Sequence, residues 1–356
     1  MAQPPVGRKQ PALSGIFGIL NLDGQPVARE HLEAMRRSMA YWGPDGASIW
    51  QNGNAGIGHL LLRNTPEACT ESLPCQHPPS GIVLAAHARI DNREELLSVI
   101  ARSVLSGAAF SAAESKDRDE AISSSGLGIA SQKSLAMTSD SELILHAYLR
   151  WGEECVHHLI GDWAFAVWDP HERKLFLARD HGGVSSLYYY RGPRFFAFAS
   201  SIKGLLALPD VPKRPNLLSV ARVLTVWTDG AGMQTAYEEI FRLPSAHTLK
   251  VAADKVETRR YWYLENTPPL RLGSDDEYLE AFLTVYTEAV RCRLRALDDP
   301  TPWPSFDRLR TGSSLRVKGE MHSPLLSGER QGPALSEVEG MRSGVGVALS
   351  SGLDSG

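Results

Sequence analysis

Apolar residues recur along this chain at two periods. Where the period is two, Asp162-Trp163-Ala164-Phe165-Ala166-Val167-Trp168 and Lys174 to Ala178 flank a polar turn at Asp169 to Arg173, the pattern of a β-hairpin. Tyr188 to Tyr190 and Phe195 to Ala199 flank Arg191-Gly192-Pro193 and predict a second hairpin. Thr248 to Val251 and Thr258 to Trp262 suggest a third. Nearer the start, Ser14-Gly15-Ile16-Phe17-Gly18-Ile19-Leu20 reads as a buried strand turned by Asp23-Gly24. Ile57 to Leu62 and Ile82 to Ile90 read as two more strands, and Gly43-Pro44-Asp45-Gly46 as a tight turn.

Where the period is helical, Leu32, Met35 and Met39 share one face of residues 28–40. Ser139-Asp140-Ser141-Glu142 has capping-box spacing and opens a helix that sets Leu143, Ile144, Ala147, Tyr148 and Trp151 on one side until Gly152 stops it. Asp275 to Leu297 predicts a helix with Tyr278, Phe282, Val285, Ala289 and Cys292 in line. Many hairpins with a few amphipathic helices argue an α+β layered domain over residues 14–262. A linker at 263–274, containing Thr267-Pro268-Pro269, then leads into a second region, 275–356.

Two stretches lose periodicity. Residues 103–137 fill with Ser, Ala and mixed charge and read as a surface insertion. Residues 298–343 collapse into Pro, Gly, Ser and alternating charge and read as a disordered insertion, as residues 1–13 read as a disordered leader. Val345 to Leu349 is then a strand entering a Gly/Ser loop.

Composition narrows the class. The 356 residues suit two domains, and 43% hydrophobic with 22% charged is globular. A net charge of -4 gives no basic footprint for nucleic acid. No apolar run approaches the roughly 20 residues of a membrane helix. The first thirteen residues lack the apolar core of a secretory signal, so a cytoplasmic location is expected. Cys69, Cys75, Cys155 and Cys292 fit no metal spacing and read as reduced thiols.

Five segments carry a resemblance: Ser14 to Gly18, Gly43 to Gly46, Ser139-Asp140 with Glu142, Arg179-Asp180-His181 through Gly183, and Leu349-Ser350-Ser351-Gly352-Leu353-Asp354-Ser355. Their order resembles class B asparagine synthetases over residues 14–297 and again from 344. The resemblance implies a four-layer αββα N-terminal-nucleophile domain of the class II glutamine amidotransferase type. The first helix and strand of an α/β ATP-pyrophosphatase domain would follow, truncated at its pyrophosphate loop.

What the resemblance implies for chemistry is mixed. In the family a Cys with a free α-amine attacks glutamine; the matching position is Ser14, preceded by thirteen residues, so its nitrogen is an amide. Where the family has an Asn-Gly-Glu segment, this chain has His87-Ala88-Arg89, and Arg89 is expected to repel a substrate ammonium. The carboxylate-binding Arg of the family falls on Leu61. Asp140 keeps its identity and is assigned to the glutamine site, or to a helix cap. Leu349, Ser350, Ser351, Gly352, Asp354 and Ser355 match the ATP/pyrophosphate loop, with Asp354 toward Mg2+ and Ser351 where the family has Gly.

The pattern of Arg63-Asn64-Thr65-Pro66-Glu67 with His87 to Asn92 is closer to lasso-peptide cyclases and β-lactam synthetases, relatives without glutaminase activity. The reading is therefore an amide-forming ligase working through an acyl-adenylate. This chain would be its N-terminal part, with an inactive glutaminase domain and no ATP or Mg2+ bound by itself. The alternative is a non-catalytic scaffold, a homodimer or a companion of a separate synthetase chain. Several other residues have plainer readings. His157-His158 are expected to be surface or core histidines rather than metal ligands, Trp163, Trp168 and Tyr188 to Tyr190 to pack, Arg179-Asp180 to form a hairpin-end ion pair, and Arg291 to Arg295 to be a solvated helix end.

Overall fold

A computed structural model describes residues 14–100, 138–225, 232–253 and 255–295. The expected insertion at 103–137, leader, 298–343 stretch and 349–355 loop lie outside the described residues. The elements in chain order are β1 (Gly15–Asn21), α1 (Arg29–Ser38), β2 (Gly46–Asn52), β3 (Ala55–Leu61), β4 (Cys75–Gln76), β5 (Val83–Ile90) and α2 (93–100). Next come α3 (Asp140–Trp151), β6 (Gly161–Asp169), β7 (Lys174–Arg179), β8 (Tyr188–Arg191), β9 (Phe195–Ala199), α4 (Ile202–Leu206) and α5 (Leu217–Leu224). The last are β10 (Ile240–Arg242), β11 (His247–Val251), β12 (Val256–Arg260) and α6 (Asp275–Arg293).

The strands form two six-stranded sheets, ordered β10-β8-β9-β1-β3-β2 and β12-β11-β7-β6-β5-β4. Every strand pair is antiparallel, and all three expected hairpins are among them. Alternation on each strand divides the core into three layers. Ile16, Ile57 and Phe198 of the first sheet meet Ala85, Ala164, Ala166 and Leu177 of the second between the sheets. Phe17, Ile19 and Leu60 face the other way, onto Leu32, Met35 and Met39 of α1. Trp163, Phe165 and Phe176 face outward from the second sheet onto Leu143, Ile144 and Tyr148 of α3. The result is the four-layer αββα arrangement.

Close approach of β1 and β3 explains their glycines. Phe17 lies opposite Gly58, and a Cβ at Gly58 would sit 2.1 Å from the Phe17 ring. Gly58→Ala is expected to force that buried ring aside and cost about 1–3 kcal/mol, read as a lower urea midpoint with unchanged slope.

The capping box of α3 is complete: Ser139 Oγ accepts the Glu142 N–H at 3.2 Å, and Glu142 Oε2 accepts the Ser139 N–H at 2.9 Å. Two elements differ from expectation. Arg179 and Asp180 bind backbone rather than each other. The Arg179 guanidinium donates to the carbonyls of Ser185, Leu243 and Gly183, and Asp180 accepts the Val184 and Ser185 N–H groups. Together they hold the 180–187 loop, because a buried turn leaves carbonyls that need donors. The second difference is Arg293 and Arg295, which turn inward at the end of α6 and are taken up below.

Candidate active site

Ser14 stands where the chain enters β1, next to the end of β3. Its Oγ accepts the Leu62 N–H at 3.0 Å, and the residue is buried. Across the sandwich, period-two alternation on β5 sends His87 between the sheets, on the same side as Val83 and Ala85. A cavity of about 10 Å³, room for about one water, is lined by Ser14, Leu62, Asn64, Thr65, Ala68, Glu71, His87, Ala88 and Asp140. Four residues singled out in the sequence thus share one small space: Ser14, His87, Ala88 and Asp140.

Arg89 is not among them. Alternation continues past Ala88, and the Arg89 guanidinium reaches the end of α6 instead, donating to the carbonyls of Cys292 at 3.0 Å and Arg293 at 2.5 Å. The expected repulsion of a ligand ammonium by Arg89 therefore has no geometric basis. The carboxyl groups of Asp140 and Glu71 line the cavity instead.

Asp140 is not the cap of α3 either, since Ser139 performs that role. The buried Asp140 carboxylate accepts the Ile90 N–H at 3.1 Å and pairs with Arg93 and, at 3.3 Å, with Arg295. A carboxylate with three charge-satisfying donors is already fully engaged. Arg293 pairs with Asp162 and, at 3.0 Å, with Asp91. The expected solvated end of α6 is thus corrected for these two arginines: acidic residues at the ends of β5 and β6 and at the start of α3 draw them in. Arg291, paired with Glu288 on its own helix, does remain at the surface.

Two further features escaped the sequence reading. Glu71 is half-buried and accepts a hydrogen bond from Ser141 Oγ; loss of solvent around it, with Asp140 and Glu142 nearby, pushes its carboxyl up to about 7. His59 on β3 shares the inter-sheet alternation of Ile57 and lies near His87. Both imidazoles are 2% exposed, and burial lowers them to about 3 for His59 and about 4 for His87. Neither ring nitrogen of His87 has a hydrogen-bond partner, nor does His59 Nε2. Even spacing on β3 and β5 was the available signal for this pair; nothing local marked Glu71.

The other candidates resolve simply. His158 stacks on Trp151 at 3.9 Å between centroids, and His157 packs edge-on to Tyr261. Among the described residues no group of three metal-ligating side chains comes together. All four cysteines are free, and burial raises the Cys75 thiol to about 11 and the Cys155 thiol further. No helix among the described residues is long and apolar enough to cross a membrane.

Comparison with known proteins adds the family context. A glutamine amidotransferase domain family matches residues 128–262. Asparagine synthetase [glutamine-hydrolyzing] 3 of Bacillus subtilis is 27% identical over 79% of this chain and 41% of its own length. Asparagine synthetase [glutamine-hydrolyzing] 2 of the same organism is 25% identical over 79% of this chain and 35% of its own. The chain thus spans about half, or less, of the curated relatives it matches. Among solved structures, a glutamine phosphoribosylpyrophosphate amidotransferase from B. subtilis aligns with a TM-score of 0.43 and 14% identity, covering 70% of this chain and 49% of that one.

Proposed function

We infer, from a chain that belongs to the asparagine synthetase family, that its amidotransferase-type domain serves an ATP-dependent amide-forming ligase without itself hydrolysing glutamine. The observation that carries the second half is the small size of the cavity. It has room for about one water, and its Asp140 carboxylate is engaged by Arg93 and Arg295. The candidate nucleophile is a serine whose nitrogen is tied up in a peptide bond to Leu13. A hydroxyl without a free amine or another positioned base beside it is a weak nucleophile at neutral pH. Both nitrogens of His87 lack a partner, yet a pKa lowered to about 4 makes that imidazole a weak proton acceptor, and the cavity beside it has room for about one water.

The ligase half of the reading rests on resemblance at Leu349, Ser350, Ser351, Gly352, Asp354 and Ser355, which would hold the pyrophosphate of ATP, with Asp354 toward Mg2+. ATP would supply activation of a carboxylate as its adenylate. A second reading, a scaffold that docks on a separate synthetase chain, is favoured by the apolar face of α6, where Phe282 and Val285 are 62% and 71% exposed.

The test is intact mass and N-terminal sequencing of the purified chain, followed by ammonia release from glutamine on the same sample. A chain that retains Leu13 and releases no ammonia above the heat-inactivated control is the expected result. A chain beginning at Ser14 that turns over glutamine would overturn the inactive-domain reading.

A further inference from the structure

We propose that the end of α6 is a guanidinium latch that ties this helix to the sandwich and shares Asp140 with the candidate cavity. The contacts run in both directions. From the sandwich, Arg89 donates to the carbonyls of Cys292, Arg293 and Arg295 at 3.0, 2.5 and 3.3 Å. These belong to the helix end where carbonyls lack intrahelical partners and positive charge is favoured. From the helix, Arg293 bridges Asp162 and Asp91, one at the start of β6 and one just after β5. Arg295 reaches deeper, donating to the Ile90 carbonyl at 2.7 Å and pairing with Asp140 at 3.3 Å and Glu67 at 3.4 Å.

With Arg93, which also pairs with Asp140 and Glu67, the cluster sets four cations (Arg89, Arg93, Arg293, Arg295) against four anions (Glu67, Asp91, Asp140, Asp162). Balance of this kind lets charges enter a half-buried site. It also identifies what holds the helix. No residue of α6 is buried, so apolar packing contributes little and the arginine contacts supply the attachment. An attachment made of ion pairs at a helix end, with Arg293 still partly exposed, is more reversible and salt-sensitive than a packed core. Because Asp140 belongs at once to the cavity lining and to the latch, release of Arg295 changes the charge at the cavity. Movement of α6 and the state of the site are thereby coupled. This coupling stands whether or not the cavity has glutaminase activity.

Hydrogen exchange on the full-length chain tests it. In Arg293→Ala/Arg295→Ala, amides at 285–295 and at Ile90, whose N–H is held by Asp140, are expected to exchange about fivefold faster or more, the factor for roughly 1 kcal/mol of lost local stability. Strands β6 and β7 should be unaffected. Raising NaCl from 50 mM to 0.5 M on the unmodified chain should move the same amides in the same direction. Arg291→Ala is the control, since the ion pair Arg291 forms, with Glu288, lies within α6. Equal acceleration by Arg291→Ala would mean simple fraying of the helix and would sink the latch. Unchanged exchange at Ile90 in both the double variant and high salt would sink it equally. Should the double variant unfold, the salt series on the unmodified chain decides alone.

Discussion

Between pH 7 and pH 5 the His59–His87 pair is expected to withdraw about 4 kcal/mol from the stability of the domain, about 2 from each ring. Both imidazoles are neutral inside the sandwich, with folded pKa values of about 3 and about 4 against 6.5 when unfolded. A folded value below the unfolded one means stability that is present above 6.5 and lost as the pH falls toward the folded values. His146 and His181, also lowered by burial, add to the same limb. Glu71 runs the other way. Its carboxyl is raised from 4.5 to about 7, so the folded state holds a proton the unfolded state has released, and stability falls as pH rises through this window. Over pH 7 to 5 Glu71 returns about 2 kcal/mol, leaving a net loss of about 2.

Urea titrations at pH 5, 6, 7 and 8 separate the contributions. His87→Gln should flatten the acid limb by about 2 kcal/mol, after any constant cost of the substitution is removed by referencing to pH 8. Glu71→Gln should gain most at pH 8 and least at pH 5. An unmodified chain equally stable from pH 5 to 8, matched in both variants, would contradict the buried neutral pair.

Trp163→Ala is the other change of large size, with an expected cost of about 3–5 kcal/mol. Trp163 is 0% exposed and lies against Phe165, Tyr261 and His181, at ring distances of 5.4, 6.2 and 6.3 Å. Its removal leaves a hole between the second sheet, the 180–187 loop and the chain leaving β12. Trp163→Phe is the informative partner. It keeps an aromatic ring and deletes an indole N–H that has no hydrogen-bond partner, so it should cost under about 1.5 kcal/mol. Equal losses for Ala and Phe would show that the indole edge, not ring volume, matters here.

Period-two runs and the capping box were strong enough to read because they are local. Trp163, Phe165 and Val167 alternate with Ala164 and Ala166, and each side of that alternation has a separate core to enter. β2 was missed because Gly46–Asn52 is an edge strand with its early residues exposed, so no alternation between apolar and polar marks it. α5 was missed for another reason: its Leu217, Val223 and Leu224 are exposed, and none of its eight residues is buried to mark a core face.

At the site, Ser14, His87 and Asp140 could be picked by position, and the cavity gathers them. The direction of Arg89 could not, because it follows from the meeting of β5 with a helix end 203 and 204 residues away. Arg295 and Asp140 are 155 residues apart, and nothing in either neighbourhood announces the other. The histidines show the intermediate case. Strand spacing puts each on the inner face, but only the packing of two sheets puts them near one another.

One edge of the second sheet has a consequence for how copies of this protein behave together. β12, Val256-Glu257-Thr258-Arg259-Arg260, offers its free side to solvent and carries charges along it. Lys255 is paired with Glu257, and Arg259 reaches across to Glu154. A strand arriving from another molecule would have to set its own backbone beside this row of alternating charge. Such a border discourages intermolecular strand addition, the first step toward fibrillar assembly, and so protects the end of a sheet that no further strand among the described residues covers.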